Sequence, residues 1–202
     1  MKGPELVVIV ADLDTEAFVK TLVLRGMERG CLRPFTFDVI RDTKRDHAVA
    51  TQPTRLVAHM PFEPARRFLV IWDHHGSGRE RDACEVVESN VRDAFVRIGV
   101  AREAALAVAF APELEVVFGA VWARVRELLA AKRGDSVSNF PWDARDPKAA
   151  FEGLARRHRV KAPPLFEEIA KQVSLKDLKG GDAIGRIAST FVEWFGTTGG
   201  AA

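Results

Sequence analysis

The sequence predicts an α/β fold built on a parallel sheet. Three observations carry this reading: apolar runs of strand length at 6–11, 67–72 and 105–110, amphipathic helical stretches between them, and strict strand–helix alternation through the first two thirds of the chain. Near-continuous apolar strands are buried on both faces, which is the mark of a parallel sheet. Alternation of this kind gives right-handed crossovers with helices covering both faces, a Rossmann-like arrangement.

Leu6-Val7-Val8-Ile9-Val10-Ala11 reads as the first buried strand, ending at Asp12. A helix follows with Phe18, Leu22, Val23 and Met27 on one side, stopped by Gly30. Thr36–Ile40 is the second strand. The polar stretch from Asp42 to Pro64 has no clear period and reads as loop plus a short helix around Arg55–His59. Arg67–Trp72 is the third strand and runs directly into Asp73-His74-His75-Gly76-Ser77-Gly78. The next helix repeats Ala83, Val86, Val87, Val91, Ala94, Phe95 and Ile98 at helical spacing. Ala105–Phe110 is the fourth strand, and Pro112 opens a helix presenting Leu114, Val117, Phe118, Val121, Val125, Leu128 and Leu129. Residues 1–133 thus form the α/β domain. Beyond the connection 134–141 the chain becomes helical, with Asp146-Pro147 as cap and first helical residue, then helices at Leu165–Val173 and Asp182–Phe195. The helical extension spans 134–195 and the tail 196–202 is expected to be disordered.

Bulk properties narrow the function classes. Lys and Arg total 30 against 28 Asp and Glu, so the net charge of +2 argues against a general nucleic-acid coating protein. A local excess remains between Lys132 and Lys161, where eight Lys and Arg face four acids; Arg156-Arg157-His158-Arg159 is its densest part. Such a cluster reads as a solvated helix end or as a phosphate-backbone contact. The two cysteines, Cys31 and Cys84, form neither a disulfide framework nor a zinc site, and Cys84 reads as a small apolar residue. The first apolar run is too short for a signal peptide or a membrane span, so a cytoplasmic location with no membrane contact is expected.

Chemistry is expected beyond the carboxyl ends of the strands, where open parallel sheets bind ligands. Acidic residues fall there three times: Asp12, Asp14 and Glu16 after the first strand, Asp73 after the third, and Glu113 with Glu115 after the fourth. Carboxylates gathered at one edge repel, and a divalent cation relieves the repulsion. An oxygen-rich set suits Mg2+ or Mn2+, which serve phosphoryl and phosphodiester chemistry. Asp12 and Asp73 are the metal-ligand candidates. Successive residues of an extended segment point to opposite sides, so His75 rather than His74 is the histidine expected to join Asp73. Asp14 reads as the cap of the first helix, Ser77 with Glu80 as a capping box, and Glu115 as a solvated helix residue. Gly76, Ser77 and Gly78 are the candidate phosphate cradle, through backbone N–H groups.

A buried strand, an acidic turn with Thr15-Glu16-Ala17-Phe18, and a later strand ending in Asp73 resemble Toprim-like domains, the metal-binding folds of topoisomerases, primases and related nucleases. With Pro112-Glu113-Leu114-Glu115 added, residues from about Glu5 to Leu129 look most like small stand-alone Toprim-like proteins of bacterial phage-defence islands, including a component of methylation-associated defence systems. The resemblance implies a divalent-metal-dependent nuclease or phosphoesterase in antiviral defence, with DNA or RNA as substrate. It further implies ATPase or methyltransferase-associated defence proteins as partners. A Toprim nuclease places a glutamate immediately after the first strand and an Asp-x-Asp pair after the later one. Here Ala11 and Asp12 stand at the first place and His75 at the second aspartate, leaving Glu16 as the acid/base candidate beside His75. These departures imply an alternative, a non-catalytic subunit that binds a partner protein or nucleic acid. Asp73-His74-His75 also invites comparison with the phosphoesterases named for that triplet, whose first motif Asp12-x-Asp14 fits loosely.

Overall fold

In a computed structural model, which describes residues 3–61, 63–160, 163–172 and 182–197, four parallel strands run side by side in the order β2-β1-β3-β4. They are β1 (Leu6–Val10), β2 (Phe37–Arg41), β3 (Arg67–Asp73) and β4 (Ala105–Phe110). Every residue of β1 is buried, and so is the body of β3 from Phe68 to Trp72. These two strands take the central places, while β2, whose residues are partly covered or exposed, lies at an edge.

Among the described residues, seven α-helices accompany the sheet: α1 (Leu13–Glu28), α2 (Arg45–Thr51), α3 (Cys84–Arg97), α4 (Trp122–Ala131), α5 (Pro147–Arg157), α6 (Pro163–Gln172) and α7 (Ala183–Phe195). Alternation along the strands divides the core in two. Leu6, Val8, Val10, Leu69, Ile71, Val108 and Phe110 face a layer containing α1 and α4 to α7, with Phe18, Phe118, Phe151 and Phe191 among its fully buried side chains. Val7, Ile9, Phe68, Val70 and Trp72 face α2 and α3. On that side β4 contributes only Ala105, Ala107 and Ala109, small residues that let α3 approach closely. Helices on both faces of a parallel sheet, with a helical C-terminal part, is the architecture expected from the sequence. The C-terminal helices share the larger core with the sheet rather than forming a core of their own.

The outer edge of β4 is closed by an ionic clamp. Glu88 of α3 is buried, accepts the Ala109 amide at 2.9 Å, and receives Arg186 of α7 through both guanidinium ends at 2.6 and 2.8 Å. An unpaired strand edge is thereby covered, and helices from the two faces are tied together.

Several local expectations change. The stretch from Asp42 to Pro64 holds α2 at 45–51 and a 3₁₀ turn at Pro53–Leu56, earlier than the helix expected near Arg55–His59. The residues after Pro112 form a 3₁₀ segment, Leu114–Val121, before α4 begins at Trp122. On α3 the buried face is Val87, Glu88, Val91 and Phe95, while Val86 and Ile98 are exposed. Cys84 is only partly covered. Asp146 does cap α5, accepting the Ala149 amide at 2.9 Å with Pro147 in the first turn. The start of the expected disordered tail is held: Gly196 bridges to Leu32, and the Thr197 hydroxyl donates to the Gly30 carbonyl. Residues 198–202, Val173 and Lys161 lie outside the described residues. Among the described residues, no helix is long and apolar enough to cross a membrane.

Candidate functional site

In a sheet ordered β2-β1-β3-β4, connections leave β1 and β3 toward opposite sides, so a crevice opens beyond their carboxyl ends. A cleft of about 600 Å³ lies there, lined among others by Asp12, Asp14, Asp46, Asp73, Glu115 and Lys148. Asp12, Asp46 and Asp73 each present one carboxylate oxygen to a common region in which those atoms lie within 4.8 Å of one another.

Each carboxylate is placed by its local backbone. Asp12 stands two residues beyond β1 in extended conformation and caps α1: its Oδ1 accepts the amides of Asp14 and Thr15, both at 2.8 Å, and its Oδ2 accepts the Thr15 hydroxyl at 2.8 Å. The capping role expected of Asp14 thus belongs to Asp12, because the helix begins two residues earlier than Asp14 would require. Asp73 is the last residue of β3, and its Oδ1 accepts the Leu114 amide at 2.8 Å. Asp46 comes from the first turn of α2. Buried Asp42 organises that turn by accepting the Lys44 amide at 2.9 Å while Arg55 grips its carboxylate at 2.7 and 3.0 Å. Arg45 then adopts φ +61°, a left-handed conformation that a non-glycine residue keeps only where its surroundings fix it. Asp46 follows directly and accepts the Asp73 amide at 2.8 Å, which binds α2 to the end of β3.

The charge so gathered is undercompensated. Burial, with Asp46, Asp12 and Glu115 nearby, pushes the Asp73 carboxyl up to about 8. Burial also raises Asp46, and burial together with Asp12 raises Asp14. Glu115, which is buried rather than solvated as its sequence context implies, is pushed up to about 7, chiefly by burial. Among the described residues, the cations lining the cleft are Arg41, Arg45 and Lys148; Arg41 is paired with Glu16, and Lys148 at the start of α5 meets Glu113 at 3.3 Å. Burial works against its ammonium, yet Glu113, Glu115 and Asp73 together raise its pKa. Three hard oxygen donors with excess negative charge and partial burial fit a divalent cation of the Mg2+ or Mn2+ class.

The other sequence candidates sit outside this group. His75 is exposed and its Nδ1 lies 3.5 Å from Glu113, so the structure joins it to Glu113 rather than to Asp12 and Asp73. Glu16 pairs with Arg41 at 3.5 Å across α1 and β2. Ser77 is fully buried; its hydroxyl donates to the His74 carbonyl at 2.7 Å and accepts the Arg79 amide at 3.1 Å. Gly76 and Gly78 have φ of +91° and +74°, and both amides donate to Glu80 Oε1, at 2.8 and 3.1 Å. Those amide bonds, including one from its own backbone, hold the Glu80 carboxyl below its ordinary range. The capping box expected of Ser77 and Glu80 is not formed, because α3 starts at Cys84 after an Ala83 that has no capping side chain.

Asp46 and Lys148 are the site residues that sequence reading missed. Asp46 lies in the aperiodic stretch after β2, and only its position after a third strand end, once α2 is placed, marks it. Lys148 reads in sequence as one member of a basic cluster. In comparisons with known proteins, no family model, no curated protein and no solved structure matches the chain.

Proposed function

We propose that this chain is a divalent-cation-dependent phosphodiesterase or nuclease of Toprim-like design that serves antiviral defence. One observation carries the chemical part: Asp12, Asp46 and Asp73 converge at the β1/β3 crevice, in a cleft that Lys148 also lines. The defence role rests on the resemblance of the acidic turn at 12–18, the Asp73 loop and Glu113–Glu115 to the Toprim-like proteins of phage-defence islands.

In this reading Asp12, Asp46 and Asp73 hold Mg2+ or Mn2+. When bound, such an ion polarises a phosphoryl oxygen and acidifies water. Lys148 attracts the phosphodiester into the cleft. Glu115, poised near neutrality by burial, is placed to carry a proton, the role the sequence assigns to Glu16 and His75. Incubation of the protein with DNA, RNA and a chromogenic phosphodiester in Mg2+ or Mn2+ tests this. Cleavage by the wild type and its loss in Asp73→Asn is the expected result; equal cleavage by both overturns the assignment.

A second reading is favoured by one feature. Where Toprim nucleases carry a glutamate after the first strand, this chain has buried Ala11, and Asp12 spends both carboxylate oxygens on capping α1. A non-catalytic subunit would show no heat of Mn2+ binding and would co-purify with ATPase or methyltransferase components of a defence complex or with nucleic acid.

A further inference from the structure

The loop after β3 satisfies its backbone in an uneven way. The amides of His74 and His75 donate to the Phe110 and Pro112 carbonyls, at 2.8 and 3.0 Å, which anchors the loop to the chain beyond β4. The Ser77 amide donates to the His74 carbonyl and the Arg79 amide to Ser77 Oγ. The Ser77 carbonyl lies 3.0 Å from His47 Nδ1, so α2 braces the loop from below. The amides of Gly76 and Gly78, together with that of Glu80 itself, turn to a side chain that is exposed, the carboxylate of Glu80. Two N–H groups aimed at one oxygen, from glycines in left-handed conformation, form the concave amide arrangement that binds anions. Here the anion in place belongs to the chain itself.

This amide pair adjoins the carboxylate group. A Cβ built on Gly76 would lie 3.8 Å from Asp46 Oδ2, and Asp73 precedes Gly76 by three residues on the same loop. Alone, Asp46 repels a second anion at that distance; a cation held by Asp12, Asp46 and Asp73 reverses the sign of that interaction. A phosphate group has oxygens enough to meet the ion with one and the two amides with another.

We propose that the Gly76 and Gly78 amides form a phosphate-oxygen subsite beside the carboxylate group, kept closed by Glu80, and that an incoming phosphate ester exchanges with the Glu80 carboxylate. The identity of the ligand as a phosphate ester rests on the function proposed above; the closure of an anion site by Glu80 does not.

The test follows the Gly76 and Gly78 amide resonances during titration with inorganic phosphate, for the wild type, Glu80→Ala and Glu80→Gln, each with and without Mg2+. A tethered carboxylate competes at an effective concentration in the millimolar range, so its removal is expected to tighten phosphate binding about tenfold or more. Saturable shifts at those two amides in Glu80→Ala, weaker in the wild type, are the expected result, and Mg2+ strengthens them. Glu80→Gln keeps an oxygen for the amides while removing the charge, so it decides the matter if Glu80→Ala disorders the loop. Absence of phosphate-dependent shifts at Gly76 and Gly78 in both variants, with and without Mg2+, overturns the proposal. Shifts without Mg2+ enhancement, in a protein that cleaves no phosphodiester, retain the closed anion site and reject the phosphodiesterase reading.

Discussion

Replacing Asp73 by Asn separates the electrostatic cost of the acidic cleft from its packing. The amide keeps an oxygen for the Leu114 amide, so the main loss is the ionisable proton. In the folded protein the Asp73 carboxyl titrates at about 8, against 3.8 for an ordinary aspartate. The folded state therefore holds a proton that the unfolded chain has released. Stability from this group is complete below pH ~4 and is lost as the pH rises toward ~8, with a slope of about 1.4 kcal/mol per pH unit. Between pH 5 and pH 7 the wild type should lose about 3 kcal/mol that Asp73→Asn retains, or roughly 6–12 °C in Tm for a chain of this size. Thermal denaturation of both proteins in chelator, at the two pH values, measures it. Parallel pH dependences for the two proteins would refute the claim that burial, with the neighbouring carboxylates, keeps Asp73 protonated. Mg2+ binding at pH 7 should then release protons, on the order of one, read from calorimetry in buffers of different ionisation heat.

Other predictions follow from the surrounding contacts. Glu115→Gln should remove the limb of the pH–rate profile that rises toward neutrality and leave Mn2+ affinity within about threefold, since Glu115 is outside the group of three; an unchanged profile removes it from proton transfer. Lys148→Met should raise KM for a phosphodiester and flatten its salt dependence, with kcat less affected; equal salt dependence in both proteins would count against a steering role. Arg186→Ala leaves Glu88 buried without its partner and should cost about 3 kcal/mol in urea denaturation. A cost below about 0.5 kcal/mol would show that the clamp at the β4 edge contributes little beyond an exposed ion pair.

The sheet was legible because its signals are local. Val7 to Val10 and Phe68 to Trp72 are apolar without interruption, and only a central parallel strand buries both sides of such a run. Asp12 and Asp73 were legible for the same reason, since a strand that ends at a charge marks its own carboxyl end. The rest of the site depends on long-range placement. Asp46 belongs to a seven-residue helix whose position is set by buried Asp42 and by its bond to the Asp73 amide 27 residues away. His75 follows the alternation rule only while the chain stays extended, and the chain leaves β3 at Asp73, turning at His74 to bond Phe110. Glu80 satisfies the spacing of a capping box with Ser77, but the two glycines between β3 and α3 draw its carboxylate backward onto the loop. Pattern rules place side chains within an element; they do not say which element a connecting loop will face.

The convergence of Asp12, Asp46 and Asp73 on a cation is the centre of the account, and anomalous scattering from crystals grown in Mn2+ tests it most directly. A single peak within about 2.0–2.3 Å of oxygens from all three carboxylates is the predicted result. A peak at His75 and Glu113, or none at the β1/β3 crevice at saturating Mn2+, would contradict it.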